Sequence, residues 1–294
     1  MKVLLTGRQG QLGQALIASA PPGIELIASG RDELDLADAD ACQAAVERHR
    51  PDWVLNAGAY TAVDRAESER DLAMAVNAGA PAAFARALAS QGGRLLQVST
   101  DFVFDGERSA PYPPDHATAP LGVYGASKEA GERAALELNG ARVLRTSWVY
   151  GPVGHNFCLT MLRLHAARAA AGQPLAVVAD QVGCPTATPG LALACWRAIA
   201  APDSTPQRLH WSDAGAASWY DFAVAIGELA VARGLLSQSA EVRPITTAEY
   251  PTPARRPSYS LLACEESRRH LDLQPLHWRS ALAQVLEQVA PPPR

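Results

Sequence analysis

The sequence predicts an α/β protein, with a doubly wound parallel sheet over residues 1–150 and a smaller α/β region over residues 151–294. Three observations predict it. Short apolar runs alternate with helical stretches from residue 3 to about residue 145, as in a parallel sheet whose crossovers are helices. The first run opens into Gly7, Gly10 and Gly13, spaced G-x-x-G-x-x-G ahead of a helix. Further on, Tyr124 and Lys128 stand four residues apart in a helical stretch, and so share one of its faces.

In chain order, Val3-Leu4-Leu5 reads as a short buried strand, and the helix after the glycines runs to Ala20 before Pro21-Pro22. Strand, glycine turn and helix form the context of a dinucleotide site, the Rossmann-type arrangement. Gly7 permits the tight turn, Gly10 lets the backbone approach a pyrophosphate at the helix N-terminus, and Gly13 allows close helix–strand packing. Ile24 to Ala28 is the second strand. It ends in Ser29-Gly30-Arg31-Asp32, where an acid would suit a ribose 2′-hydroxyl and an arginine a 2′-phosphate. Arg31, with Arg8, points to NADPH; as a solvated loop charge it would point to nothing. Asp35-Leu36 either flanks an adenine ring or starts the helix at about Ala39–Arg48.

Trp53 to Asn56 is the third strand, ending in the small residues Ala57-Gly58-Ala59 that leave room for a ligand. A long helix over about Asp71–Ser90 and a strand from Arg94 to Val98 follow. Thr100 then either holds a substrate carbonyl or caps a turn. A polar, proline-rich loop to Pro120 suits a substrate mouth. Tyr124 opens a helix to about Leu138, and Val143-Leu144-Arg145 is the next strand.

After Thr146 to Pro152 the alternation breaks down. Helices are expected over 156–171, from Pro189 to Ala200, from Ser218, and from Trp278 to Val289, with strands at Leu175–Val178 and Leu209–Trp211. The segment 188–201 is expected to pack back on the first half. Arg255 and Arg256, in the loop from Pro251 to Pro257, suit a diphosphate. Trp148 either stacks on a flat ring or fills the core. The end, Pro291 to Pro293, reads as a frayed tail.

Bulk properties exclude several function classes. With 48% hydrophobic and 19% charged residues the 294-residue chain has ample core. A net charge of −4 and a pI near 6.0 leave no basic footprint for nucleic acid. Cys42, Cys158, Cys184, Cys195 and Cys264 are odd in number and hold no C-x-x-C pair, which suggests reduced thiols, a cytoplasmic location and no zinc site. The seven histidines show no metal-ligand spacing. No charge-free apolar run approaches membrane-spanning length, and the apolar start is too short for a signal peptide.

Tyr124 and Lys128 carry the chemistry. A free phenol titrates near pH ~10, and a lysine ammonium one turn away favours the phenolate. Lysine occurs only at positions 2 and 128, every other fixed cation being arginine. The chain thus places a compact point charge beside this phenol.

The chain resembles the extended short-chain dehydrogenase/reductases, and within them the dTDP-4-dehydrorhamnose reductase family. The resemblance rests on T-G-R-Q-G-Q-L-G (Thr6–Gly13), N-A-G-A-Y-T-A-V-D-R-A-E (Asn56–Glu67), V-N (Val76–Asn77), S-T-D-F-V-F-D-G (Ser99–Gly106), Y-G-A-S-K (Tyr124–Lys128), R-T-S-W-V-Y-G (Arg145–Gly151), D-Q-V-G-C-P-T (Asp180–Thr186) and R-P-S-Y-S (Arg256–Ser260). It implies reduction of a dTDP-linked 4-dehydro-6-deoxy sugar by NADPH or NADH. Thr100, Tyr124 and Lys128 would be the catalytic set. Gly10, Gln11, Leu12, Asp35, Leu36, Gly58, Ala59 and Thr61 would line the cofactor, and Val63, Asp101, Phe102 and Trp148 would face the sugar nucleotide.

Some members carry a glutamate two residues after the third glycine, linked to a magnesium ion at a dimer contact. Ala15 stands there, so neither that ion nor that dimer is expected, and the chain is read as a monomer or homodimer. Tyr259 replaces the asparagine of the family's R-P-x-N-S segment. Two alternatives stay open. One is a 4-epimerase-type enzyme on a nucleotide sugar; a dehydratase is disfavoured because Phe102, not glutamate, follows Asp101. The other is a non-catalytic NADP-binding regulatory subunit like that of methionine adenosyltransferase.

Overall fold

The computed structural model describes residues 1–290; the proline-rich end, Pro291 to Pro293, lies outside the described residues. β1 (Lys2–Thr6) leads through the glycine turn to α1 (Gln11–Ala18), β2 (Glu25–Ser29), α2 (Ala39–His49), β3 (Trp53–Asn56) and the single turn α3 (Val63–Ala66). α4 (Arg70–Met74) and α5 (Ala80–Ala89) are the two parts of one long helix, joined by a π-helical turn over Ala75–Gly79. β4 (Arg94–Thr100), α6 (Val123–Leu136) and β5 (Arg142–Thr146) complete the alternation.

Shorter elements follow: β6 (Val149–Tyr150), α7 (Phe157–Ala170), β7 (Leu175–Val178), β8 (Val182–Gly183), β9 (Thr186–Ala187), α8 (Thr188–Ala200), β10 (Arg208–His210), β11 (Ala217–Ser218), α9 (Trp219–Ala232), β12 (Val242–Ile245), α10 (Glu265–Leu271) and α11 (Trp278–Glu287).

Six strands form one sheet in the order β10-β5-β4-β3-β1-β2, and every pairing in it is parallel. The chain winds outward in both directions from β1 and β3, so the crevice beyond their carboxyl ends is where such a sheet takes a ligand. Val3, Leu4 and Leu5 are fully buried because both faces of the sheet are covered. On one face α1 and α8 pack over Val3, Leu5, Leu55, Leu96 and Leu144. On the other, α2, α5 and α6 enclose Leu4, Val54, Phe84, Leu88 and Leu95. A third core joins α7, α9 and α11 in the C-terminal region.

Residue 150 is not a clean divide: α8 covers the first sheet, and β10 extends it beside β5. The run Arg70–Ala89 has a mean hydropathy of 1.3 and is long enough to cross a membrane, yet half of it is buried. It is a core helix, with Ala80, Ala83, Phe84 and Leu88 in the sheet-facing cluster. The uninterrupted helix expected there instead bulges at Asn77, whose carbonyl oxygen would stand 2.0 Å from a Cβ on Gly131. That glycine admits the bulge against α6.

Candidate active site

The glycine turn fits a dinucleotide. Gly7 lies at φ +75°, and a Cβ there would stand 2.8 Å from Gly58, the small residue after β3. A Cβ on Gly13 would stand 2.1 Å from the Gly7 carbonyl oxygen. Gly10 is the N-cap of α1, and among the described residues no side chain caps that helix. The first N–H groups of α1, those of Gln11 and Leu12 among them, are thus left to a bound phosphate. The Gln11 side chain does something else: Nε2 donates to the Val149 carbonyl, and Asn156 Nδ2 donates to its Oε1. It ties the turn to the C-terminal region.

At the end of β2, Arg8 and not Arg31 is paired. Arg8 reaches Asp32 at 3.2 Å and Glu33 at 2.8 Å, and Gln9 Nε2 also donates to Asp32. The acid is consumed, while Arg31 stays exposed and, among the described residues, in no ion pair. Asp35 accepts from Ala37 N, and Asp38, three residues on, is the N-cap of α2. Leu36 lies against Gly58, whose Cβ would stand 2.6 Å from Leu36 Cδ1. The Ala57–Thr61 loop is fixed from below: Gly58 N donates to Thr6 Oγ1, which donates to Asn56 Oδ1 at 2.6 Å.

Thr100 is the last residue of β4, and Tyr124 and Lys128 lie on α6, which packs against that strand. Thr100 Oγ1 donates to Asp101 Oδ1 at 3.0 Å and accepts from Phe102 N at 3.2 Å, so it caps the turn, one of the two roles expected of it. Lys128 is buried, and its Nζ donates to the Val98 carbonyl at 2.6 Å. Burial pushes its ammonium down to about 8, with Glu132 pulling the other way. The expected lowering of the phenol by lysine does not occur. Burial pushes Tyr124 up to about 12, the Thr100 hydroxyl holds the rise back, and Asp101 adds to it. Lys128 is turned back to β4, and the phenol keeps its proton. Asp101 is buried and pushed up to about 6 by burial, with the hydroxyls of Ser260 and Thr100 opposing; its Oδ2 has no hydrogen-bond partner among the described residues.

Of the residues expected at the sugar nucleotide, Phe102 meets the Tyr124 ring edge-on at 5.6 Å. Val63 is half-buried on α3, and Thr61 before it is exposed. Trp148 follows β5, whose Thr146 pairs in register with Thr100. Arg256 needs correcting. Its two terminal nitrogens donate to Asp64 Oδ1 at 3.0 Å and Oδ2 at 2.8 Å, and it also bonds Thr252 and the Ala254 carbonyl. Its fork is spent on pinning the proline-rich loop to α3, while Arg255 beside it is exposed.

Over residues 1–290 the chain matches the family described as RmlD substrate binding domain. The chain belongs to the dTDP-4-dehydrorhamnose reductase family. It is 42% identical over 289 residues to a dTDP-4-dehydrorhamnose reductase of Streptomyces griseus, covering 96% of this chain and 91% of that one. It is 38% identical to one from Sinorhizobium fredii, covering 97% of each. The crystal structure of the Bacillus anthracis enzyme in complex with NADP superposes with a TM-score of 0.89 at 34% identity, over 98% of this chain and 99% of that chain.

Within this family frame the structure adds residues to which the sequence attached no role. Asn77 Nδ2 donates to the Tyr60 carbonyl and to Ser127 Oγ, and its Oδ1 accepts from Tyr60 N. It joins the Ala57–Thr61 loop to the helix of Tyr124. Glu67 accepts from Val123 N at the head of that helix, where the N-cap Gly122 has no side chain to do so. Both lie in motifs already quoted, V-N and R-A-E, and only their long-range contacts show the use.

Proposed function

We propose that this chain reduces the C4 carbonyl of dTDP-4-dehydro-6-deoxy-L-mannose (dTDP-4-dehydro-β-L-rhamnose) to give dTDP-β-L-rhamnose, the last step in making that sugar nucleotide. The observation that carries the reading is the placement of Tyr124, on α6, against the carboxyl end of β4 where Thr100 stands, in a chain of this family. NADPH, when bound, supplies the hydride, and NADH is the second candidate. Gly7, Gly10, Gly13 and the head of α1 would hold its pyrophosphate, Arg31 a 2′-phosphate, and Asp35, Leu36, Gly58, Ala59 and Thr61 would line its path.

As charge develops on the C4 oxygen, Tyr124 delivers its proton there. Thr100 turns its hydroxyl hydrogen from Asp101 to the same oxygen. Together they stabilise the oxyanion before it is neutralised. The resulting phenolate lies one helical turn from the Lys128 ammonium. Asp101, Phe102, Val63 and Trp148 would orient the sugar, and Arg256 contributes by holding the 251–257 loop on α3. On this reading residues 1–150, with α8 and β10, form the cofactor half and the remainder the substrate half. The protein works in the cytoplasm on a small molecule, as a monomer or homodimer.

The test is NADPH oxidation by purified protein with enzymatically made substrate, NADH in parallel and Tyr124→Phe as control. Loss of NADPH absorbance with wild type only, together with appearance of dTDP-rhamnose, is the expected result. An unreduced sugar in the presence of bound NADPH would sink the assignment.

A further inference from the structure

The segment carrying Trp148 is held more firmly than a loop residue requires. Trp148 lies at φ +47°, a costly region for a bulky side chain that persists where the surroundings hold it. Three contacts hold it. Thr186 N donates to the Trp148 carbonyl, Ser147 Oγ donates to the Cys184 carbonyl at 2.8 Å, and a Cβ on Gly183 would stand 2.6 Å from indole Cε2. Only glycine fits there.

The indole then lies flat on that of Trp219, the rings 3.6 Å apart and 5° from parallel. Trp219 is in turn fixed. It opens α9 directly after the N-cap Ser218, inside the Ser218–Asp221 capping box, and its Nε1 donates to Gln181 Oε1 at 3.2 Å. Gln181 is buried, and its Nε2 donates to Thr247 Oγ1, which is itself bound to Asp180 at 2.7 Å. The D-Q of D-Q-V-G-C-P-T is therefore a clamp that ends on an aromatic ring.

We propose that Trp219 and Gln181 are positioning residues for the sugar nucleotide: they hold rigid the Trp148 indole, which the proposed reading sets against the sugar. The inference rests on the reductase reading. A 6-deoxy hexose has a methyl group and C–H faces that suit an aromatic wall, and a wall ordered in advance spares the ordering cost on binding. Neither residue reaches the reacting oxygen. Both should act on binding and leave the chemical step alone.

The test compares Trp219→Leu, Trp219→Phe and Gln181→Leu by steady-state kinetics, with thermal unfolding as a control. Trp219→Leu should raise the sugar-nucleotide KM about tenfold, the equivalent of one lost aromatic contact and a freed rotamer, with kcat and NADPH affinity held. Trp219→Phe should recover most of the loss. If Trp219→Leu does not fold, Gln181→Leu decides, since it keeps both rings and removes only the tether. An unmoved KM in a folded variant of an active enzyme overturns this inference and leaves the reductase reading intact. A wild type that neither binds nor reduces the sugar nucleotide overturns both.

Discussion

Glu132 and Arg145 meet inside the protein, Oε2 to Nη2 at 2.6 Å with Nε also bridging both carboxylate oxygens, at 3% and 2% side-chain exposure. Glu132 lies one helical turn beyond Lys128, so the face that carries Tyr124 and Lys128 ends in a buried ion pair anchored on β5. Replacing one partner strands the other as a buried charge. Glu132→Leu should therefore cost about 3–5 kcal/mol, and the double variant Glu132→Leu/Arg145→Met should recover most of it. Urea midpoints of the single and double variants measure this; equal losses in both would mean the pair is not what stabilises α6.

On the proposed mechanism Tyr124→Phe removes the proton donor and keeps the ring that meets Phe102 edge-on. Loss of a positioned acid is worth about 10²–10⁴ in rate. Turnover should fall by that order while NADPH binding, followed by fluorescence titration, and thermal stability stay as in wild type. A variant that keeps turnover would place the acid elsewhere.

On the proposed mechanism Lys128 sets the alkaline side of the pH profile. Its ammonium sits at about 8 instead of the ordinary 10.5, so it is charged below that pH and neutral above it. Activity that depends on its charge should be highest below about 8 and decline as pH rises through it. Unfolding cannot supply the same decline through this group. Between about 8 and 10.5 the unfolded chain binds the lysine proton and the native chain does not, so this group's contribution to stability rises with pH there. Recording kcat and the unfolding temperature over the same pH range separates the two. A flat kcat across pH 8 would show that the Lys128 charge is not needed.

On the proposed reading Arg31 is the residue that favours NADPH over NADH. Asp32 is taken by Arg8 and Gln9, which leaves the end of β2 without a free acid for a 2′-hydroxyl and with a free arginine for a 2′-phosphate. Arg31→Ala should raise KM for NADPH about 10- to 100-fold, the worth of a charged hydrogen bond, with little change for NADH. Equal effects on both would move the 2′-phosphate contact elsewhere.

The sequence revealed most where one local rule dictated one residue type. Gly7 and Gly13 are forced by a positive φ and by contact closer than a Cβ allows. Tyr124 and Lys128 share a face by helical spacing alone. It revealed least where a role depends on a distant partner. Arg256 reads as a free cation until Asp64, 192 residues earlier in the chain, is found in its fork. β10 reads as an isolated strand until β5 is found beside it. The phenol's proton affinity followed burial and Asp101 instead of the lysine one turn away, because helical spacing says nothing about where a flexible ammonium points.

Gly10 and Gly13 separate cofactor recognition from folding. A Cβ on Gly13 would overlap the Gly7 carbonyl oxygen at 2.1 Å, and both atoms are fixed by backbone. α1 would have to move off β1, at a cost of about 1–3 kcal/mol for overpacking. Gly13→Ala should therefore lower both the unfolding temperature and NADPH affinity. A Cβ on Gly10 meets only that same oxygen, at 3.2 Å. Gly10→Ala should fold with a near-normal unfolding temperature and yet bind NADPH weakly, since the head of α1 is where a pyrophosphate would approach the backbone. Calorimetric titration with NADPH, beside thermal unfolding of each variant, tells the two apart. Normal affinity in Gly10→Ala would mean that the pyrophosphate does not rest on this helix.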